Sequence, residues 1–202
     1  MIINVRGTSG SGKTYTVRKF MDFYGPSTMI NDNDGKPIAH VIFYNMMPVY
    51  FIGSYANVCG GCDNVPTQDM ICSLVRHFSQ FGHVIFEGLI MSHSYARYAA
   101  LWKELTELCI PFIFAYMDTS LQDCLERVKQ RRLDKGNTKE FNPQNTISAY
   151  DSIWGTMKKF QDAGVDTTII KHKKDPIMQI INLLDKDKEL RFDYSYREEK
   201  FR

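Results

Sequence analysis

An α/β fold, with a parallel five-stranded sheet flanked by helices, is predicted by three features of this 202-residue chain. Short apolar runs at 2–6, 83–87, 111–117 and 166–170 read as strands, with a fifth expected from the 39–53 region. Helical periodicity separates most of these runs, which is the alternation a parallel sheet requires. Between the first run and the first helix stand Gly7, Thr8, Ser9, Gly10, Ser11, Gly12, Lys13 and Thr14, the pattern G-x-x-x-x-G-K-T.

The first strand is Met1-Ile2-Ile3-Asn4-Val5-Arg6, and the helix behind the glycine loop spans Tyr15 to Tyr24, with Val17, Phe20, Met21 and Tyr24 on one stripe. Strand, loop and helix in that order distinguish a phosphate-binding P-loop from a chance match. Its glycines let successive N–H groups converge on one anion, and the helix N-terminus adds partial positive charge. Lys13 is expected to bridge the terminal phosphates and Thr14 to ligate Mg²⁺. A nucleoside triphosphate is the ligand this implies.

Farther along, Gly25-Pro26 marks a turn and Asn31 to Pro37 a loop, whose acidic alternation lacks the final glutamate of a calcium site. Ala39 to Tyr44 and Val49 to Gly53, separated by Asn45-Met46-Met47-Pro48, predict a hairpin, read as an insertion near the acceptor. Asp63 follows in Gly60-Gly61-Cys62-Asp63-Asn64, ahead of a helix that Thr67 can cap. Two readings of Asp63 stay open here, a turn or capping residue and a general base for an acceptor hydroxyl.

His83-Val84-Ile85-Phe86-Glu87-Gly88 has the form of a Walker-B strand, with Glu87 at its carboxyl end on the metal side. Arg97, near the start of a helix from about Tyr95 to Leu108, is either a solvated charge or an acceptor-phosphate contact. Past the run that ends at Met117, Ser120 caps a helix from which Arg127 and Arg131 project together, with Arg132 beside them. Glu126 to Glu140 holds six Lys/Arg against three Asp/Glu, and Asp134 to Asn145 is polar and punctuated by Gly, Asn and Pro. Arginines leading into such a loop suit a lid that closes over phosphates and neutralises developing charge. A helix from Thr146 to about Ala163 comes next, and the loop Lys171 to Pro176 is expected near the nucleotide base.

The expected organisation is one domain over 1–184, with the hairpin at about 38–54, the lid at about 127–146 and a charged tail over 185–202. A formal charge of +2 selects no partner by itself. No apolar run approaches bilayer length, so no membrane partner and a cytoplasmic location are expected. The five cysteines suit reduced thiols, and Cys59-Gly60-Gly61-Cys62 has no second pair at zinc spacing.

The P-loop strand, Walker-B strand, C-L-E-R-V-x-x-R-R helix and lid together resemble the nucleoside monophosphate kinase branch of the P-loop NTPases. The wider pattern of G-T-S-G-S-G-K-T, hairpin, G-G-C-D-N-V and H-V-I-F-E-G-L-I-M-S is similar to the bacteriophage 5-hydroxymethyluracil DNA kinases. That resemblance implies transfer of the ATP γ-phosphoryl group to the 5-hydroxymethyl oxygen of the modified base in DNA. The product is 5-phosphomethyldeoxyuridine, an intermediate of phage DNA hypermodification, made in the host cytoplasm. It also implies ATP and Mg²⁺ as cofactors, Lys13 and Thr14 at the phosphates and metal, and Glu87 as the metal-side carboxylate. Asp63 becomes the base, and Arg127 and Arg131 the lid arginines.

Tyr50, Phe51 and Tyr55 are candidates to stack on an extruded base, or else core residues. Arg97, Lys103 and the lid are candidates to follow the phosphodiester backbone. A kinase of free nucleosides or nucleotides is the first alternative. A nucleotide-dependent switch without transfer is the second, and oligomeric state is not legible.

Overall fold

The computed structural model describes residues 1–56, 61–137 and 139–186. Seven strands form one sheet among them: β1 (Ile2–Arg6), β2 (Thr28–Asn31), β3 (Pro37–Tyr44), β4 (Met47–Ile52), β5 (His83–Glu87), β6 (Phe112–Met117) and β7 (Thr167–Ile170). Their order is β2-β3-β4-β5-β1-β6-β7. Helices α1 (Lys13–Phe23), α2 (Gln68–Ser79), α3 (Leu89–His93), α4 (Ala96–Glu107), α5 (Leu121–Asp134) and α6 (Gln144–Asp162) connect the strands, and 176–186 is a further helical run. Most of the tail over 185–202 lies outside the described residues. No helix among those described is long and apolar enough to cross a membrane.

The five strands β4-β5-β1-β6-β7 run parallel, with Val5 opposite Glu87 and Arg6 opposite Tyr116. In this order β1 is central, and the chain moves to opposite sides of it before and after β5. The P-loop therefore leaves the sheet at the switch point, where ligands of open α/β sheets bind.

Side chains alternate into two cores. On one face Ile2, Val84, Phe86, Phe112 and Phe114 pack against α2, α4 and α6 residues such as Val75, Leu101 and Phe160. On the other, Ile3, Val5, Ile85 and Met117 meet Phe20 of α1 and Ile180 and Leu184 of the last helical run. Phe114 and Phe160 stack with centroids 4.1 Å apart. Burying each such ring contributes roughly 1.5–3 kcal/mol. The caps read from the sequence are made: Thr67 Oγ1 accepts from Met70 N–H at 3.1 Å and Ser120 Oγ from Asp123 N–H at 3.1 Å.

The sheet is larger than the five strands expected. Thr28–Asn31 adds an antiparallel edge to β3, and β3 pairs antiparallel with β4. The hairpin is integral to the sheet, because β4 is itself the fifth parallel strand, beside β5. Its Val49, Phe51 and Ile52 are 0 % exposed and enter both cores, as a doubly covered strand must. Tyr50 stacks on Phe78 at 4.6 Å, and Tyr55 is buried against Phe51 and His40. Phe51 and Tyr55 are buried in the core, whereas Tyr50 is half-buried with Phe78 against its ring.

The β3–β4 connection is also tighter than expected. Only Asn45 and Met46 lie between the paired residues Tyr44 and Met47, with φ of 49° and 66°. Positive φ at both central residues is the primed hairpin turn, whose second position favours glycine. The turn precedes β4, so it lies at the end of the parallel sheet opposite the P-loop. Met46 is 93 % exposed and contributes no core packing. Met46→Gly should relieve the left-handed backbone and raise unfolding stability by about 1 kcal/mol in urea titration; a loss of stability would contradict the turn assignment.

Candidate active site

The P-loop is shaped by what its carbonyls bond to. Lys13 Nζ donates to Gly7 O at 2.7 Å and Thr8 O at 3.1 Å. Thr119 Oγ1, just past β6, donates to Ser11 O at 2.7 Å, and Arg127 Nη1 from α5 donates to Gly10 O at 3.1 Å. Four consecutive-region carbonyls, which would repel an anion, are thus held by donors. Gly10 lies so close to α5 that a Cβ there would sit 2.4 Å from Cys124 O, at a φ of +81° that favours glycine. The backbones of α5 and the phosphate loop are thus packed closely together.

Glu87 ends β5 beside the loop. It is 0 % exposed, and Thr14 Oγ1 donates to its Oε1 at 2.9 Å. Its Oε2 is buried with no hydrogen-bond partner among the described residues. Burial pushes the carboxyl up to about 7, against the opposing pull of Lys13 and Thr14. Gly61, at φ +64°, presses on this group: a Cβ there would lie 2.6 Å from Oε1 and 2.7 Å from Glu87 O. The glycine of the G-G-C-D segment is required by the carboxylate it faces. Cys62 is buried beside it, and Cys59 and Gly60 lie outside the described residues.

An orphaned carboxylate oxygen next to a threonine hydroxyl suits a hard divalent cation that takes its remaining ligands from phosphates and water. Among the described residues no cluster of three or more His, Cys, Asp or Glu could hold a metal unaided. Thr14 and Glu87 are the pair that fits Mg²⁺.

Asp63 sits exposed in a 3₁₀ turn, Cys62–Asn64, and its Oδ1 accepts from Leu89 N–H of α3 at 2.8 Å. The contact is the turn or capping role expected of Asp63, and the same residue also lines a cleft. That cleft, about 280 Å³, is lined by Ser9, Gly10, Gly12, Lys13, Thr14, Tyr15, Asp63, Leu89, Arg127 and Arg131. Burial lowers the Lys13 pKa while Glu87 and Asp63 raise it. A second cavity of about 410 Å³ shares Gly12, Tyr15 and Arg127 with the first and adds Met117, His172 and Pro176. His172 N and Nδ1 both lie against Asp118 Oδ1, at 2.6 and 2.8 Å, which fixes the 171–176 loop to the end of β6.

Arg97 and Lys103 are placed elsewhere. Arg97 pairs with Asp69 of α2, and Lys103 lies 3.9 Å from Glu107 on α4.

The residue that sequence reasoning missed is Arg6, which is 0 % exposed. Its Nε donates to Asn4 Oδ1 at 2.6 Å and its Nη1 to Ser94 O at 3.1 Å and Ser92 O at 3.4 Å. The guanidinium stands 4.7–5.2 Å from the ring centroids of Phe114, Phe160 and Tyr98, where cation–π attraction offsets part of its desolvation. Burial lowers its pKa to about 10, so the charge persists at neutral pH. Ser92 Oγ in turn donates to Gly88 O at 2.6 Å and accepts from Gly7 N–H at 3.4 Å. Arg6 therefore grips the carboxyl end of α3, the helix whose first N–H holds Asp63. The signal lay in Asn4 and Arg6, two polar residues on one face of a central strand.

No protein-family model matches the chain. It is similar to a 5-hmdU DNA kinase of Pseudomonas phage PaMx11, 33% identical over 171 residues that cover 81% of this chain and 87% of that protein. A 5-hmdU DNA kinase of Delftia phage PhiW-14 is 25% identical over 85% of this chain and 68% of its own length. Another, of Pseudomonas phage M6, is 31% identical over 64% of this chain and 71% of its own.

The buried carboxyl gives a pH prediction. Between the model-compound value of 4.5 and about 7, the unfolded chain has released a proton that folded Glu87 retains, so stability should fall as pH rises through this window and then level off. In metal-free buffer, the difference in unfolding free energy between wild type and Glu87→Gln should shift by on the order of 3 kcal/mol across it. A difference that stays flat with pH would contradict the burial of an unpaired carboxyl.

Proposed function

The chain belongs to the family of phage 5-hmdU DNA kinases, and from that membership we propose that it transfers the γ-phosphoryl group of ATP to the 5-hydroxymethyl oxygen of 5-hydroxymethyluracil in DNA. It is a phosphotransferase that uses a nucleotide. The observation that supports this reading most is the single cleft on which P-loop, Asp63, Arg127 and Arg131 converge, with Glu87 beneath Thr14.

In this reading Lys13 exchanges its two loop carbonyls for the terminal phosphate oxygens, and Thr14 and Glu87 hold Mg²⁺. The metal, when bound, neutralises charge on the phosphates. The second cavity, between Arg127 and the His172–Pro176 loop, accepts the nucleotide base. Asp63 stands on the acceptor side, where its carboxylate takes the proton of the attacking hydroxyl. One carboxylate oxygen stays bound to Leu89 N–H, so the group is oriented before substrate arrives. Arg127 and Arg131 supply positive charge to the transferring group from the lid.

A hydroxymethyl oxygen inside a duplex lies in the major groove. Reaching it in line with the γ-phosphorus requires that the groove be opened or the nucleotide extruded.

Labelled ATP offered against hydroxymethyluracil DNA, thymine DNA and free nucleosides should label only the first. Labelling confined to mononucleotides would favour a nucleoside kinase, and none at all a switch. Asp63→Asn is a sharp test, because asparagine keeps the oxygen that Leu89 N–H needs while removing the base. Turnover should fall by about 10²–10⁴ with ATP affinity little changed; an unchanged rate would remove Asp63 from the chemistry.

A further inference from the structure

A kinase that acts on a polymer needs a grip on the chain outside the reacting nucleotide, and the charges on this surface are unevenly committed. On α2 and α4, Arg76 makes a two-pronged contact to Glu104 at 2.6 and 2.8 Å, Arg97 pairs with Asp69, and Lys103 faces Glu107. The lid differs. Among the described residues no carboxylate pairs with Lys129, Arg131, Arg132, Lys135 or Lys139.

At roughly 100° per helical residue, Lys129, Arg132 and Leu133 fall on the side of α5 turned away from Arg127 and Arg131. With Asn137, Lys139, Glu140 and Phe141 they line a groove of about 390 Å³. Three cations face one anion there. The Arg132 guanidinium lies 5.9 Å over the Phe141 ring and donates through Nη2 to Lys139 O at 3.3 Å. Its Nε is buried and has no hydrogen-bond partner among the described residues. A flat cation braced over an aromatic ring, flanked by two mobile ammonium groups, is the chemistry that binds single-stranded nucleic acid: planes for bases and point charges for phosphates.

We propose that this outer groove of the lid binds the DNA substrate beside the reacting nucleotide, Lys129 and Lys139 at backbone phosphates and the Arg132–Phe141 pair against an adjoining base. The proposal rests on the DNA-kinase reading and deepens it. The same helix bears Arg127 and Arg131 on its other side, lining the nucleotide cleft, so the groove lies next to the site of transfer. The groove therefore adds affinity for polymer alone, and a free nucleoside cannot engage it.

The test is steady-state kinetics of the full chain on a hydroxymethyluracil oligonucleotide of about 20 nucleotides, and on a dinucleotide too short to reach the groove, as a function of salt. Lys129→Gln/Arg132→Gln/Lys139→Gln should raise KM for the long substrate at least about 10-fold and reduce its salt slope by about 2–3, with kcat and ATP affinity kept. KM for the dinucleotide should not move. Lys129→Arg/Lys139→Arg, which keeps the charges, should behave as wild type. A glutamine variant matching wild type in KM and salt slope on the long substrate would overturn the groove while leaving the DNA-kinase reading intact. A wild-type enzyme that labels no DNA would overturn both.

Discussion

A carboxylate sealed inside the end of a strand is the constraint around which this site is built. Glu87 reaches its position because β5 pairs with β1 and Val5 stands opposite it, so the carboxylate and the P-loop leave the sheet side by side. Thr14 engages one oxygen, and nothing among the described residues engages the other. In the proposed reading a cation completes this costly group, and burial would make that cation's contribution larger than it would be in water. Gly61 follows from the same crowding, since any side chain would displace the carboxylate.

Around this pair the fold satisfies the carbonyl oxygens of the phosphate loop. Lys13, Thr119 and Arg127 occupy the P-loop carbonyls from three directions. On the acceptor side the same logic extends inward. Arg6 collects the carbonyls at the end of α3, Ser92 ties that helix to Gly7 and Gly88, and Leu89 N–H presents Asp63. The P-loop and the Asp63 turn are thus joined through a buried cation in the central strand, and Asp63 has a tether and a cleft position at once.

Much of this was legible because it is local. The P-loop, the β5 run with its terminal Glu87, and the caps at Thr67 and Ser120 each announce themselves within a few residues. What escaped depends on distant partners. β2 is short, mostly exposed and sits on the sheet edge, so it lacks the alternation that marks a strand. The turn at Asn45 and Met46 contains no glycine, so its two-residue length carried no signal in the sequence. Tyr50 and Phe51 could be assigned to the core only once β4 was seen beside β5. Arg6 was visible as a letter, but its partners are Ser92, Ser94 and three aromatic rings contributed by α4, β6 and α6.

A crystal structure with magnesium and adenylyl imidodiphosphate tests the central claim most directly. The account predicts the polyphosphate in the P-loop, Lys13 Nζ moved from the Gly7 and Thr8 carbonyls onto it, and the metal between Thr14 and the Glu87 side. Polyphosphate bound elsewhere, or Lys13 still on those carbonyls with the metal away from Glu87, would contradict it.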